Sequence, residues 1–122
     1  MARVLIAEDD PDIRALVARR VSQLGHDIVE AADGDSALAL TLAEHPDLVV
    51  LDWMMPRRSG IEVCRAIRAD DVVGRTKIVM LTAKAHEDDL ASAFGAGVDD
   101  YVIKPFRGAD LQQRLAALLD AR

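Results

Sequence analysis

The run Leu48-Val49-Val50-Leu51-Asp52-Trp53-Met54-Met55-Pro56 decides how the rest of the chain is read. Its four leading aliphatic residues, two of them β-branched, predict a strand buried on both faces, as in the middle of a parallel sheet. The run stops at an acid, and Pro56 disfavours helix at the residue before it. Asp52 is therefore expected at the carboxyl end of a central strand, where open α/β sheets place their ligand crevice. A carboxylate there suits a metal ligand, a nucleophile, or both.

Toward the N-terminus, Arg3 to Ala7 predicts a first strand ending in Glu8-Asp9-Asp10. Asp10 followed by Pro11 is a helix N-cap with proline at the first helical position, and Asp10 is read as that cap. Ile13, Leu16, Val17, Val21 and Leu24 recur at helical spacing, and Gly25 closes the helix with a left-handed cap. Asp27 to Ala31 predicts a second strand. Asp33-Gly34-Asp35 is turn chemistry that also caps a helix, with Ala37, Leu38, Leu40, Thr41 and Leu42 reaching about Glu44 before Pro46.

Toward the C-terminus, Ser59-Gly60 opens a helix with Ile61, Cys64 and Ile67 on one face and Arg65 and Arg68 beside it. Lys77 to Thr82 is another buried-type strand. Glu87 to Phe94 predicts a thinly amphipathic helix, cut short by Gly95 and Gly97. Asp100 to Ile103 is the fifth strand, followed by Lys104-Pro105-Phe106 and a last amphipathic helix carrying Leu111, Leu115, Leu118 and Leu119. Strand and helix alternate five times, which predicts a doubly wound, five-stranded parallel α/β sheet with helices on both faces.

With 122 residues, one domain (1–122) is expected. The net charge of −6 disfavours direct binding to nucleic acid or to an anionic membrane, and favours a cation as partner. A lone cysteine, Cys64, excludes an internal disulfide and is read as core packing. His26, His45 and His86 lack ligand spacing and are expected at the surface. No secretory signal or membrane-length apolar run is present, so a cytoplasmic domain is expected.

Four of the predicted strands end in reactive groups: Glu8, Asp9 and Asp10, then Asp52, then Thr82, then Lys104. Parallel strands bring these ends to one edge of the sheet. Clustered carboxylates stay ionised together when a cation joins them, and all-oxygen ligands suit a hard ion such as Mg²⁺. Lysine and hydroxyl can stabilise charge on a phosphoryl group, and an aspartate can accept one. Taken singly, Thr82 is an ordinary strand end and Lys104 a surface charge; their joint occurrence is what points to a site. Arg57 and Arg58, in the loop after Asp52, are read as solvated.

Glu8-Asp9-Asp10, Leu51-Asp52-Trp53-Met54-Met55-Pro56, Ser59-Gly60, Leu81-Thr82-Ala83 and Lys104-Pro105-Phe106 resemble the signatures of bacterial response-regulator receiver domains across essentially the whole chain. The resemblance implies a flavodoxin-like sheet of strand order 2-1-3-4-5. It implies that Asp52 accepts phosphate from the phosphohistidine of a sensor kinase. Asp9 would bind Mg²⁺ directly, Glu8 through water, and the Met54 backbone carbonyl would be a further ligand beside Asp52. Lys104 would contact the phosphate, the Thr82 hydroxyl would move to meet it, and Tyr101 would be the aromatic switch. Lys104–Pro105 would be a cis peptide. The implied role is a phosphorylation-activated switch that loads and unloads its own phosphate, rather than a turnover enzyme.

A haloacid-dehalogenase-like phosphohydrolase would need an acid where Met54 stands. A flavin carrier would need a hydroxyl- and glycine-rich phosphate loop where Glu8-Asp9-Asp10-Pro11 stands. Asp52 to Pro56 and Asp99-Asp100-Tyr101 resemble the OmpR-like winged-helix regulators in particular. Those receivers pair through the fourth helix, fifth strand and fifth helix. By position, Asp99, Asp100 and Arg114 retain the means for one ion pair. Asp110 keeps an acid, but its usual basic partner in the fourth helix falls at Leu90, and the last basic position falls at Ala121, with Arg122 one residue later. A weak homodimer favoured by phosphorylation is expected. An output domain or a downstream protein would be the further partner.

Overall fold

Each quoted apolar run forms the strand expected of it. β1 (Arg3–Ala7), β2 (Asp27–Ala31), β3 (Leu48–Leu51), β4 (Lys77–Thr82) and β5 (Asp100–Ile103) alternate with α1 (Pro11–Gln23), α2 (Gly34–Glu44), α3 (Gly60–Ala69), α4 (Glu87–Ala96) and α5 (Gly108–Asp120). The computed structural model describes residues 1–120, so Ala121 and Arg122 lie outside the described residues.

The sheet is parallel throughout, in the order β2-β1-β3-β4-β5. β3 lies at its centre, with Val50 in register with Ile6 on one side and Val79 on the other. All four β3 residues are buried, and their alternation divides them between two cores. Val49 and Leu51 pack with Leu5, Ile78, Met80, Ile61, Cys64 and Ile67, beneath α2, α3 and α4. Leu48 and Val50 pack with Val4, Ile6, Val79, Leu81, Val17 and Leu115, beneath α1 and α5. A strand clad on both faces leaves its ends as the places where polar side chains remain reachable.

The helix starts follow from their capping residues. Asp10 Oδ1 accepts from the Asp12 and Ile13 amides, Asp33 Oδ1 from the Ser36 amide, and Ser59 shares a reciprocal capping box with Glu62. The stops differ in detail from expectation. α4 continues to Ala96, two residues beyond Phe94, because Gly95 is exposed and tolerated within the helix; the turn comes at Gly97, at φ 112°. α2 ends on a left-handed His45, at φ 50°, immediately before Pro46. Leu42, in the helix as expected, is 42% exposed. His26, expected at the surface, is half-buried because its Nδ1 accepts the Ala2 amide at 3.0 Å. Among the described residues no helix is long and apolar enough to cross a membrane.

Candidate functional site

Hydrogen bonds just beyond the regular strands carry the sheet order into the site. The Glu8 amide donates to the Ala31 carbonyl at 3.0 Å, the Asp52 amide to Ala7 at 2.9 Å, and the Lys104 amide to Thr82 at 2.8 Å. The chain after Asp52 folds back so that the Gly60 amide donates to the Trp53 carbonyl at 2.8 Å. A Cβ at Gly60 would run into the Asp52 main chain, so the glycine permits this close return. Lys104–Pro105 is cis.

These constraints bring the acids and the lysine together. Lys104 Nζ lies 2.6 Å from Glu8 Oε1 and 3.3 Å from Asp52 Oδ2. Glu8 and Asp52 are 2% and 6% exposed, whereas Asp9 stands open at the crevice mouth. One carboxylate oxygen from each of Glu8, Asp9 and Asp52 lies within 4.8 Å of the others. Asp10 is occupied in capping α1, as its sequence position predicts. Trp53, Met54, Met55, Pro56 and Ser59 wall the crevice beside Asp9.

The electrostatics are unbalanced. Burial drives the Glu8 carboxyl up to about 7; the Lys104 hydrogen bond opposes the rise and the neighbouring Asp52 adds to it. Burial alone would lower the Lys104 ammonium, but its hydrogen bond to Glu8 and the charge of Asp52 outweigh that and raise it. One lysine thus serves two buried carboxylates while a third waits at the mouth. The donor set is all oxygen, compact and acidic, and it fits a small hard divalent cation with places left for water or a phosphoryl oxygen.

Thr82 ends β4 and is 1% exposed, its Oγ1 accepting from the Lys84 amide at 3.4 Å. Tyr101 is buried, and its hydroxyl donates to the Lys84 carbonyl at 2.7 Å. Its ring lies 6.5 Å from that of Phe94, centroid to centroid. Burial pushes the Tyr101 phenol up.

The other residues singled out in the sequence fall elsewhere. Arg114 Nη1 donates to both Asp100 oxygens, at 2.9 and 3.1 Å. Asp99 faces away from Arg114: its Oδ2 accepts from Arg68 Nη2 at 2.9 Å and from the Ile78 amide at 2.8 Å. Leu90 is half-buried against the α2–α4 core. Arg58 pairs with Asp35 at 2.9 Å and Arg57 approaches Asp33 at 3.8 Å, fastening the loop after Asp52 to the start of α2.

Three features of the surroundings escaped the sequence reading. Arg14 Nη1 donates to the Glu8 carbonyl at 2.8 Å, bracing the end of β1. Lys84 Nζ sits 5.0 Å from the centre of the Trp53 ring. Arg57 occupies a left-handed backbone conformation, at φ 74°. Only the Ser59-x-x-Glu62 capping box had a local signal that could have been read in advance.

A 2-1-3-4-5 parallel sheet with acids, a hydroxyl and a lysine at its carboxyl edge defines a flavodoxin-like domain built to handle a cation and a phosphoryl group. The response regulator receiver domain model matches residues 4–116, and the chain belongs to that family: it is a signalling domain of two-component response regulators. It is 39% identical over 116 residues to the phosphate regulon transcriptional regulatory protein PhoB of Pseudomonas aeruginosa, a match covering 95% of this chain and 51% of that one. The receiver domain of the Francisella response regulator 1452 superposes with a TM-score of 0.92 at 30% identity, covering 99% of this chain and 98% of that one. The receiver domain of the sensor histidine kinase PA1611 from Pseudomonas aeruginosa, which has a magnesium ion coordinated in its active site cleft, superposes at 0.89 with 30% identity, covering 98% of each. The chain spans about half the length of the curated relatives it matches.

Proposed function

We propose that Asp52 is the phosphoacceptor of this receiver. The observation that carries the reading is the buried Asp52 carboxylate within 3.3 Å of Lys104 Nζ and grouped with Glu8 and Asp9. In the transfer, the bond from phosphorus to the histidine nitrogen of a sensor kinase breaks and a bond to an Asp52 oxygen forms. Lys104 then holds a phosphoryl oxygen, and the Thr82 hydroxyl donates to another. Bound Mg²⁺ would neutralise negative charge on the transferring group. Glu8, Asp9 and Asp52 would hold it together with the Met54 main-chain carbonyl. The Met54 side chain is 64% exposed, which suits a main-chain role. Water attacking the phosphorus of the same acyl phosphate would break its bond to the Asp52 oxygen and release inorganic phosphate, so the domain resets itself without being a turnover enzyme.

Tyr101 would report the state of the site to α4, β5 and α5. The same face would form a weak homodimer favoured by phosphorylation, with Asp99, Asp100 and Arg114 at its rim. In this chain Asp100 and Arg114 already pair within the protomer, and Asp99 is held by Arg68, which supports a weak rather than a tight association. The regulators it resembles suggest one cytoplasmic receiver domain spanning 1–122 and controlling a DNA-binding output.

Acetyl phosphate with Mg²⁺ is expected to add one phosphoryl group, read by intact mass, and Asp52→Asn to abolish it. Equal labelling of that variant would overturn the assignment. Sedimentation with beryllofluoride is expected to reveal dimer that Arg114→Glu removes; a tight dimer without it would place the controlled interface elsewhere.

A further inference from the structure

Lys84 lies two residues beyond Thr82, in the loop between β4 and α4, and besides its amide bond to Thr82 makes three contacts of different kinds. Its main-chain carbonyl accepts the Tyr101 hydroxyl at 2.7 Å. Its ammonium stands over the Trp53 ring, 5.0 Å from the centroid. The same ammonium lies 3.9 Å from Asp89 Oδ1 in α4. Trp53 is the residue directly after Asp52 and is half-buried against the α2–α4 core. Lys84 is half-buried as well, so its charge is neither fully hydrated nor fixed by one strong ion pair. A cation in that setting gains from the electron-rich face of an indole.

The loop is tied at its two ends, by the long Lys84 amide bond to Thr82 Oγ1 at 3.4 Å and by His86 at the start of α4. Ala83, Ala85 and His86 are exposed; Ala83 borders an apolar pocket with Ile13, Leu16 and Phe106, and His86 Nδ1 accepts the Asp88 amide at 3.1 Å as the cap of α4. Between those ends, the residue whose carbonyl takes the Tyr101 hydroxyl is the same one whose side chain reaches Trp53.

We propose that Lys84 is a positioning residue that couples Tyr101 to the Asp52 loop: its side chain pins the β4–α4 loop to Trp53 so that its carbonyl can hold the tyrosine hydroxyl inward. The assignment of Tyr101 as the switch rests on the reading given under Proposed function; the contact itself does not. Trp53 and Tyr101 thereby share one lysine, one through its side chain and the other through its backbone.

The sequence has a single tryptophan and a single tyrosine, so each is a probe without background. Tyr101 labelled as 3-fluorotyrosine gives one ¹⁹F resonance, and Trp53 one emission band. In metal-free, unphosphorylated protein, Lys84→Met keeps the stem and the carbonyl but removes the charge. It is expected to shift the inward-to-outward population at Tyr101 about two- to five-fold outward, the size a partly exposed cation–π contact supplies. Trp53 emission changes with it, and Lys84→Arg restores both signals. Trp53→Leu moves the Tyr101 resonance the same way, and adds nothing in the Lys84→Met background. An unmoved resonance in Lys84→Met, an equal effect of Lys84→Arg, or full additivity of the two variants would overturn the coupling. Acetyl phosphate labelling of the same variants keeps this outcome separate from the fate of Asp52 as phosphoacceptor.

Discussion

The two edges of the sheet handle charge in opposite ways. At the amino edge of β4 and β5, Arg68 donates to the carbonyls of Gly97, Gly74 and Thr76 and to Asp99, whose carboxylate also takes the Ile78 amide. One cation meets one anion, and carbonyls take the remaining donors. At the carboxyl edge, Lys104 alone faces Glu8 and Asp52, and Asp9 adds a further negative charge without a lysine of its own. The first cluster is closed and serves the fold. The second is left short of positive charge, which weakens the fold locally and creates affinity for a cation.

The largest expected effect tests the closed edge. Arg68→Ala leaves three part-buried carbonyls without their donor and Asp99 with the Ile78 amide alone, and should destabilise the protein by about 3 kcal/mol in urea unfolding. A loss below about 1 kcal/mol would mean that water replaces the guanidinium and that this edge is no more closed than the other.

The next concerns pH at the open edge. Glu8 is raised from 4.5 to about 7 in the fold, so between those values the native state keeps a proton that the unfolded chain has released. Its contribution is therefore fully present below about 4.5 and is lost as pH rises through about 7. Without Mg²⁺, wild type should lose about 3 kcal/mol over that window relative to Glu8→Gln. The melting-temperature gain from Mg²⁺ should be greater at pH 8 than at pH 5.5. A gain independent of pH would remove Glu8 as the source of the imbalance.

The smallest effect concerns strain in the loop behind Asp52. Arg57 sits at φ 74°, where glycine is free of the Cβ penalty. Its ion pair with Asp33 is long, at 3.8 Å, and exposed. Arg57→Gly should stabilise the protein by about 0.5 kcal/mol, read as a shift of the denaturant midpoint at constant slope. A destabilisation would show that the guanidinium holds the loop more firmly than its geometry implies.

Much of this was written locally in the chain. Aliphatic runs of strand length, Asp10-Pro11 and Ser59-Gly60 at helix starts, and Gly25 at a helix stop are signals carried by neighbouring residues, so these strands and caps fell where they were expected. The site was legible for a related reason. Parallel strands share a direction, so an acid, a hydroxyl or a lysine at the end of a strand is bound to reach the same edge as the others. The C-terminal end of α4 was misread because the boundary of a helix with a thin apolar stripe is settled by packing.

The sequence by itself determined the alternation of strands and helices and the set of groups delivered to the carboxyl edge, because both depend on residue type and short-range order. Only the tertiary structure decided which partners those groups take. Arg68 meets Asp99 across 31 residues, Lys104 meets Glu8 across 96, and the Ala2 amide finds His26 across 24. Lys84 comes to lie over Trp53 from a separate loop. Such pairings follow from how the crossovers stack helices on the sheet, and neither periodicity nor turn chemistry encodes the distance between two side chains on different connections.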